Sequence, residues 1–302
     1  MRPRPSIPIL VVLFVVSLLT VAAHAKNREA KLYAITNWPS SGTCKGNDVS
    51  AWDDMTLGWY NQVTSGPVFF KDGTWINNNL SRKIFCDPDS GFSPCEDYKH
   101  QDDADAVMMA LHGTDISHHW GGLTQVQTGS DCFIQAAEGA STDQMFVGDA
   151  DLEFLHLSSC NSMDDDNLNW TRKMFADVDS PTTGARLHQA DGFHGVMAIS
   201  SGRVGDYEDF ADDAHWVSIA DAWTDNLYDT DITYKNGAVG DQCPVAFTVS
   251  NSKADAKIRL FSERYNAIFN DPSGSGAVAY QYYDDCDPVG DDPFDDPNDP
   301  KK

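Results

Sequence analysis

Two short apolar runs end in groups that can carry acyl-transfer chemistry. Ala104-Asp-Ala-Val-Met-Met-Ala-Leu111 leads into His112-Gly113, and Asp151-Leu-Glu-Phe-Leu-His-Leu157 leads into Ser158-Ser159-Cys160. A thiol attacks a carbonyl carbon only as the thiolate, and an imidazole within hydrogen-bond reach can take its proton and later deliver it to a leaving amine. Gly113 adds a third element. Without a Cβ its backbone N–H can approach a substrate closely and, with the N–H of Cys160, bind a developing oxyanion. His112 precedes Cys160 by 48 residues, and each is followed by a turn.

The elements that must hold this pair follow from hydrophobic periodicity. The two runs read as buried parallel strands, with further strands at Lys31–Thr36, Val68–Phe70, Gly195–Ser200 and Pro244–Ser250. Segments with apolar residues three and four apart alternate with them, at Val49–Thr64, Asn167–Val178, Tyr207–Tyr228 and Lys253–Phe269, the last with Ser252 as N-cap. Alternation of this kind predicts an α/β fold, a mostly parallel sheet with helices on both faces. In such sheets functional groups gather beyond the carboxyl ends of the strands, where His112 and Cys160 both lie. Asn77–Asp103 is polar, contains Pro, Gly, Ser and two cysteines, and reads as a surface loop.

The ends of the chain read differently from its middle. Arg2 and Arg4, an apolar run from Ile7 to Ala23, and Ala23 and Ala25 around His24 have the form of a cleavable signal peptide over residues 1–25. The expected product is one α/β domain over 26–283, with an Asp- and Pro-rich tail over 284–302 that has little to bury unless Cys286 ties it down. Export implies a secreted or periplasmic location and no membrane attachment once the signal is removed. A formal net charge of −25 repels phosphate backbones and anionic lipid, so nucleic acid is excluded as a partner. Of the seven cysteines (44, 86, 95, 132, 160, 243 and 286), six can pair in an oxidising compartment and one is left over. Six cysteines allow 15 pairings; Cys86 with Cys95 closes the shortest loop.

An apolar strand ending in His-Gly, followed about 50 residues later by one ending in a small residue and Cys, resembles the cysteine peptidase group (clan CD) that contains caspases, legumains and gingipains. The pieces here are Val107-Met-Met-Ala-Leu-His-Gly113 and Phe154-Leu-His-Leu-Ser-Ser-Cys160, and Asn161-Ser162-Met163 is loosely similar to the legumain pattern after its cysteine. The stretch from Leu187-His188 to Phe193-His194-Gly195-Val196 is similar to uncharacterised secreted bacterial families with this core. The resemblance covers roughly residues 104–200 and implies a caspase-like three-layer sandwich. It makes Cys160 the nucleophile, His112 the general base and acid, and Gly113 with Cys160 the oxyanion donors. It also places a pocket for the residue before the scissile bond near Ser200, Ser201 and Arg203, with an acidic side chain favoured if Arg203 lines it. The Gln-Ala-Cys-Gly signature of true caspases is absent, so Asp specificity does not follow.

The expectation is therefore a secreted cysteine peptidase acting on protein or peptide through a thioester, with no required cofactor. One alternative is a non-catalytic extracellular binding module of the same fold in which Cys160 is disulfide-bonded. Another is a metal-dependent hydrolase built on the histidines and Asp clusters. Asp164-Asp165-Asp166 offers oxygen ligands for a structural calcium but lacks EF-hand spacing. His118-His119 with His112 offer no standard zinc spacing. His156, inside its strand, reads as packed, and His188 and His194 as structural residues flanking a turn.

Overall fold

A computed structural model describes residues 28–115, 120–136, 144–148, 150–164, 175, 187–233, 239–283 and 286. The signal-peptide segment 1–25, His118-His119, Asp165 and Asp166, the expected helix at 167–178 and the tail beyond Cys286 lie outside the described residues. The strands are β1 (Arg28–Ala34), β2 (Phe69–Ile76), β3 (Ala106–Ala110), β4 (Gly113–Asp115), β5 (Trp120–Thr128), β6 (Asp131–Ala136), β7 (Gln144–Met145), β8 (Phe154–Ser158), β9 (Gln189–His194), β10 (Asp229–Thr233), β11 (Val239–Ser250) and β12 (Ala277–Gln281). The α-helices are α1 (Trp52–Val63), α2 (Val204–Asp213), α3 (Ile219–Leu227) and α4 (Lys253–Ser262).

Eight strands form one sheet in the order β10-β11-β9-β8-β3-β1-β2, with β12 also pairing with β11. β2, β1, β3, β8 and β9 run parallel, and β11 reverses against β9. The protein is thus α/β with a mixed, mostly parallel central sheet, as the strand–helix alternation predicts. β3 is buried at every position and all its side chains are apolar, as expected of an inner parallel strand. Trp52, Met55, Trp59 and Val63 give α1 a buried stripe at helical spacing, while Asp53 and Asp54 in its first turn suit the positive end of the helix dipole. Ser252 caps α4 by accepting the Asp255 N–H, and Ser218 caps α3 by accepting that of Asp221.

Side-chain alternation along the strands separates two buried faces. On one, His156 of β8 meets Trp59 of α1, Phe210 of α2 and Trp223 of α3. On the other, Tyr33 of β1 stacks on Trp75 and receives the edge of Phe85. Phe85 belongs to the 77–103 stretch, which is not the surface loop its polarity suggests. It winds through short 3₁₀ turns and buries Phe85, Asp87, Asp97, Gln101 and Asp102. Its polar groups can be buried because they are bonded: Gln101 donates to the Phe85 carbonyl, and Asp102 accepts from the N–H groups of Gly148 and Ala150.

Two other expectations shift. The strand placed at 195–200 lies instead at Gln189–His194, and Gly195, at φ 75°, ends it. The apolar run misled because β9 carries buried polar residues with dedicated partners, whereas 196–200 forms no strand and its Met197 N lies 3.5 Å from Cys160 Sγ. For the same reason His188 and His194 stand at the two ends of β9 rather than around a turn. The helix expected over 207–228 is two helices, because the chain turns at 214–218 and Ser218 starts a new one.

Candidate active site

The β3–β8 register pairs Ala106 with Phe154 and continues in step to Ala110 with Ser158, a constant offset of 48 residues. Two residues further along both chains, the same offset joins His112 and Cys160. Both lie just beyond the carboxyl ends of neighbouring parallel strands, whose backbones run about 4.8 Å apart. Gly113 closes the gap between the two chain segments: a Cβ at that position would lie 1.9 Å from the Cys160 carbonyl oxygen and 2.4 Å from Ser159 Oγ. Only glycine fits there.

His112 is fixed on its far side. Its Nε2 lies 2.8 Å from the carbonyl oxygen of Asn47, which can only accept, so the proton sits on Nε2 and Nδ1 carries the free lone pair. The ring lies 4.3 Å from that of Trp38 and meets the edge of Trp52 at 5.7 Å. Burial among these rings lowers the imidazole pKa below its ordinary 6.5, with the Asn47 hydrogen bond opposing, so the ring is neutral at neutral pH. That is the form a base requires.

Cys160 is half-buried and is the free thiol among the described cysteines; Cys44–Cys132, Cys86–Cys95 and Cys243–Cys286 are bonded. Burial pushes its pKa up, opposed by the backbone N–H groups of Met197 and of Cys160 itself. The Met197 N–H lies 3.5 Å from the sulfur. Burial thus favours the neutral form of both groups, imidazole and thiol. Two backbone N–H groups lie at the strand ends beside the thiol. Leu123 N donates to His112 O, which makes Gly113–Gly122 a non-hydrogen-bonded pair of the β4–β5 ladder and turns the Gly113 N–H away from β5. Among the described residues that N–H has no protein acceptor, and the Cys160 N–H has none beyond its own sulfur.

A polar floor that sequence reading did not single out lies under the pair. Ser158 Oγ receives the indole N–H of Trp52 at 2.8 Å, lies 2.6 Å from Tyr207 OH and 3.7 Å from Met197 Sδ. Trp120 Nε1 donates to Ser159 Oγ at 3.1 Å. The spaced tryptophans of α1 were visible as a helix stripe, but nothing local to them shows that one indole N–H supports the strand end next to the cysteine.

The other expected site residues fall elsewhere. Ser200 and Ser201 are exposed just ahead of α2. Arg203 donates to Asp206 at 3.2 Å and to Asp229, so two carboxylates already face its charge. His156 is fully buried, between Asp191 at 2.7 Å and Tyr265 OH at 2.7 Å. His188 pairs with Glu263 at 2.6 Å and His194 with Asp164 at 2.5 Å, which commits the first residue of the proposed calcium cluster to an imidazole. Among the described residues no group of three or more His, Cys, Asp or Glu is placed to hold a metal ion. Nor is any described helix long and apolar enough to cross a membrane. The three disulfides fit an extracytoplasmic protein.

A family model described as a domain of unknown function, DUF6345, matches residues 36–255. No curated protein matches the chain. The matched span includes Trp38, Asn47, His112, Gly113, Cys160 and Met197.

Proposed function

The chain belongs to the DUF6345 family, and from the pairing of its strand ends we propose that it is a cysteine peptidase of caspase-like architecture, exported to act on protein or peptide outside the cytoplasm. One observation carries this reading: an unpaired thiol, Cys160, and an imidazole whose Nε2 is tied to a carbonyl follow the carboxyl ends of two paired parallel strands. The remaining cysteines are in disulfides, which is the distribution expected when one thiol is reserved for chemistry. The rival binding module required Cys160 in a bridge.

In the proposed reaction, Nδ1 of His112 takes the Cys160 proton as the sulfur attacks the scissile carbonyl. The oxygen of the tetrahedral adduct is received by the N–H groups of Gly113 and Cys160, a type of contact worth about 10²–10³ in rate per donor. Collapse forms a thioester and sends the proton from Nδ1 to the departing amine. Water, or a second amine in transpeptidation, then releases the acyl group. No cofactor is needed for these steps. An acidic preference is not part of the proposal, because Arg203 is spent on Asp206 and Asp229.

The test is alkylation of the native, unreduced protein with mapping of the modified residue, followed by a peptide-library assay of Cys160→Ala and His112→Ala. Modification at Cys160 alone and loss of hydrolysis in both variants are expected. Labelling elsewhere or nowhere, or undiminished hydrolysis by either variant, overturns the reading.

A further inference from the structure

The carbonyl that orients His112 belongs to an exposed loop, and backbone groups on loops wander unless something holds them. The loop joins β1 to α1 and carries Trp38, Cys44 and Asn47. Part of it is self-bonded: Val49 N donates to Thr36 O, and Trp38 N to Asp48 Oδ1. At its start Asn77 Oδ1 accepts from Thr36 N and Asn37 N; beyond that its ties run to the β5–β6 hairpin. Trp38 Nε1 donates to Leu123 O at 3.2 Å, Gln125 Nε2 donates to Asn37 O at 3.0 Å, and Cys44 is bonded to Cys132 of β6. That hairpin follows directly from His112-Gly113 through β4. The disulfide therefore closes a covalent ring that runs from the loop through β3 and His112 to β6 and back, with Asn47 three residues from one end.

We propose that the Cys44–Cys132 disulfide is a positioning clamp for the base of the active site: it holds the Asn47 carbonyl against Nε2 of His112 and so fixes the imidazole tautomer that leaves Nδ1 free. The reading rests on the proposed peptidase only for its consequence in rate; the positioning itself is a property of the imidazole and can be measured without substrate. Cys44 is 6% exposed and Cys132 fully buried, so dissolved thiols reach the clamp poorly and it acts as a permanent part of the site. Cys86–Cys95 closes a nine-residue separation within the 3₁₀ segment and serves as the control. It shares no residue with the loop or the hairpin.

The experiment labels histidine with ¹⁵N and reads the His112 imidazole by its long-range proton–nitrogen couplings, identified by its loss in His112→Gln. In the full protein, a single tautomer protonated at Nε2 is expected. In the double variant Cys44→Ser, Cys132→Ser a mixture of tautomers is expected, together with at least a tenfold fall in kcat for the peptidase, while Cys86→Ser, Cys95→Ser keeps the single tautomer. An unchanged Nε2 signal in the first double variant overturns the clamp even if hydrolysis falls. A changed signal with no hydrolysis by any form keeps the clamp and counts against the peptidase. Should the double variant fail to fold, stepwise reduction of the native protein with a phosphine gives the same comparison. The disulfide oxidises the phosphine and is itself reduced to two thiols; water supplies the oxygen of the phosphine oxide and the two thiol protons. Loss of the single-tautomer signal must then track the appearance of alkylatable Cys44 and Cys132, and a signal that outlasts those thiols overturns the proposal.

Discussion

Gly113 and Cys160 touch backbone to backbone: a Cβ on Gly113 would lie 1.9 Å from the Cys160 carbonyl oxygen, closer than any real contact allows. Gly113→Ala must therefore push β3 and β8 apart at their ends. A thermal-melt loss of about 1–3 kcal/mol is expected, typical of forced overpacking. With the oxyanion donors displaced, hydrolysis should fall by about 10²-fold or more. A variant with unchanged melting and unchanged rate would contradict the close approach.

Asn47 acts through its backbone, so its side chain is dispensable. Asn47→Ala keeps the carbonyl that receives His112 Nε2–H and should alter kcat/KM by no more than about twofold, the range of a surface substitution. His112→Ala should abolish turnover. A large effect at Asn47 would mean that the amide group, not the carbonyl, serves the site.

The pH dependence follows from two opposite shifts. Burial lowers His112, so the neutral base survives as pH falls through 6.5 and the acid limb of kcat/KM should lie below that value. Burial raises Cys160, so its thiolate in the resting protein appears only above the ordinary thiol range. Alkylation of Cys160 by iodoacetamide should keep accelerating through pH 9. A rate that is flat by pH 8 would indicate a preformed thiolate–imidazolium pair.

His156, Asp191 and Tyr265 form a closed polar group under α1, α2 and α3, and Gln189 Nε2 completes it on Asp191 at 2.6 Å. Asp191→Ala leaves the His156 Nδ1 and the Gln189 amide without an acceptor in a dry core. A loss of about 3–5 kcal/mol is expected from chemical denaturation, as for other broken buried pairs. Reactivity of Cys160 in the surviving folded fraction should be retained, since the group touches neither His112 nor the sulfur. Loss of reactivity at constant stability would tie it to the site instead.

Strand identity was legible where apolar residues and function coincide. β3 and β8 are short, largely apolar runs, and the groups that follow them are those the proposed chemistry uses. β9 was misplaced because Gln189, Asp191 and His194 are buried polar residues; His156 and Asp164, far along the chain, partner Asp191 and His194, and Asp191 in turn accepts from Gln189. The 77–103 stretch was misread for the same cause: Gln101 and Asp102 look solvent-bound until their backbone partners are known.

By itself the sequence determined the inner strands β3 and β8 and the candidate pair, because a local apolar run and its terminating residue are written contiguously. It also determined that one cysteine is left over, since seven is odd. The tertiary structure alone decided which one. Pairing of Cys44 with Cys132 spans 88 residues and depends on how a loop folds over a hairpin, a relation no local pattern encodes. It likewise decided that His112 is oriented by a backbone carbonyl and that Arg203 is already paired. Every residue carries a carbonyl, so the sequence cannot mark which one a fold will bring to an imidazole.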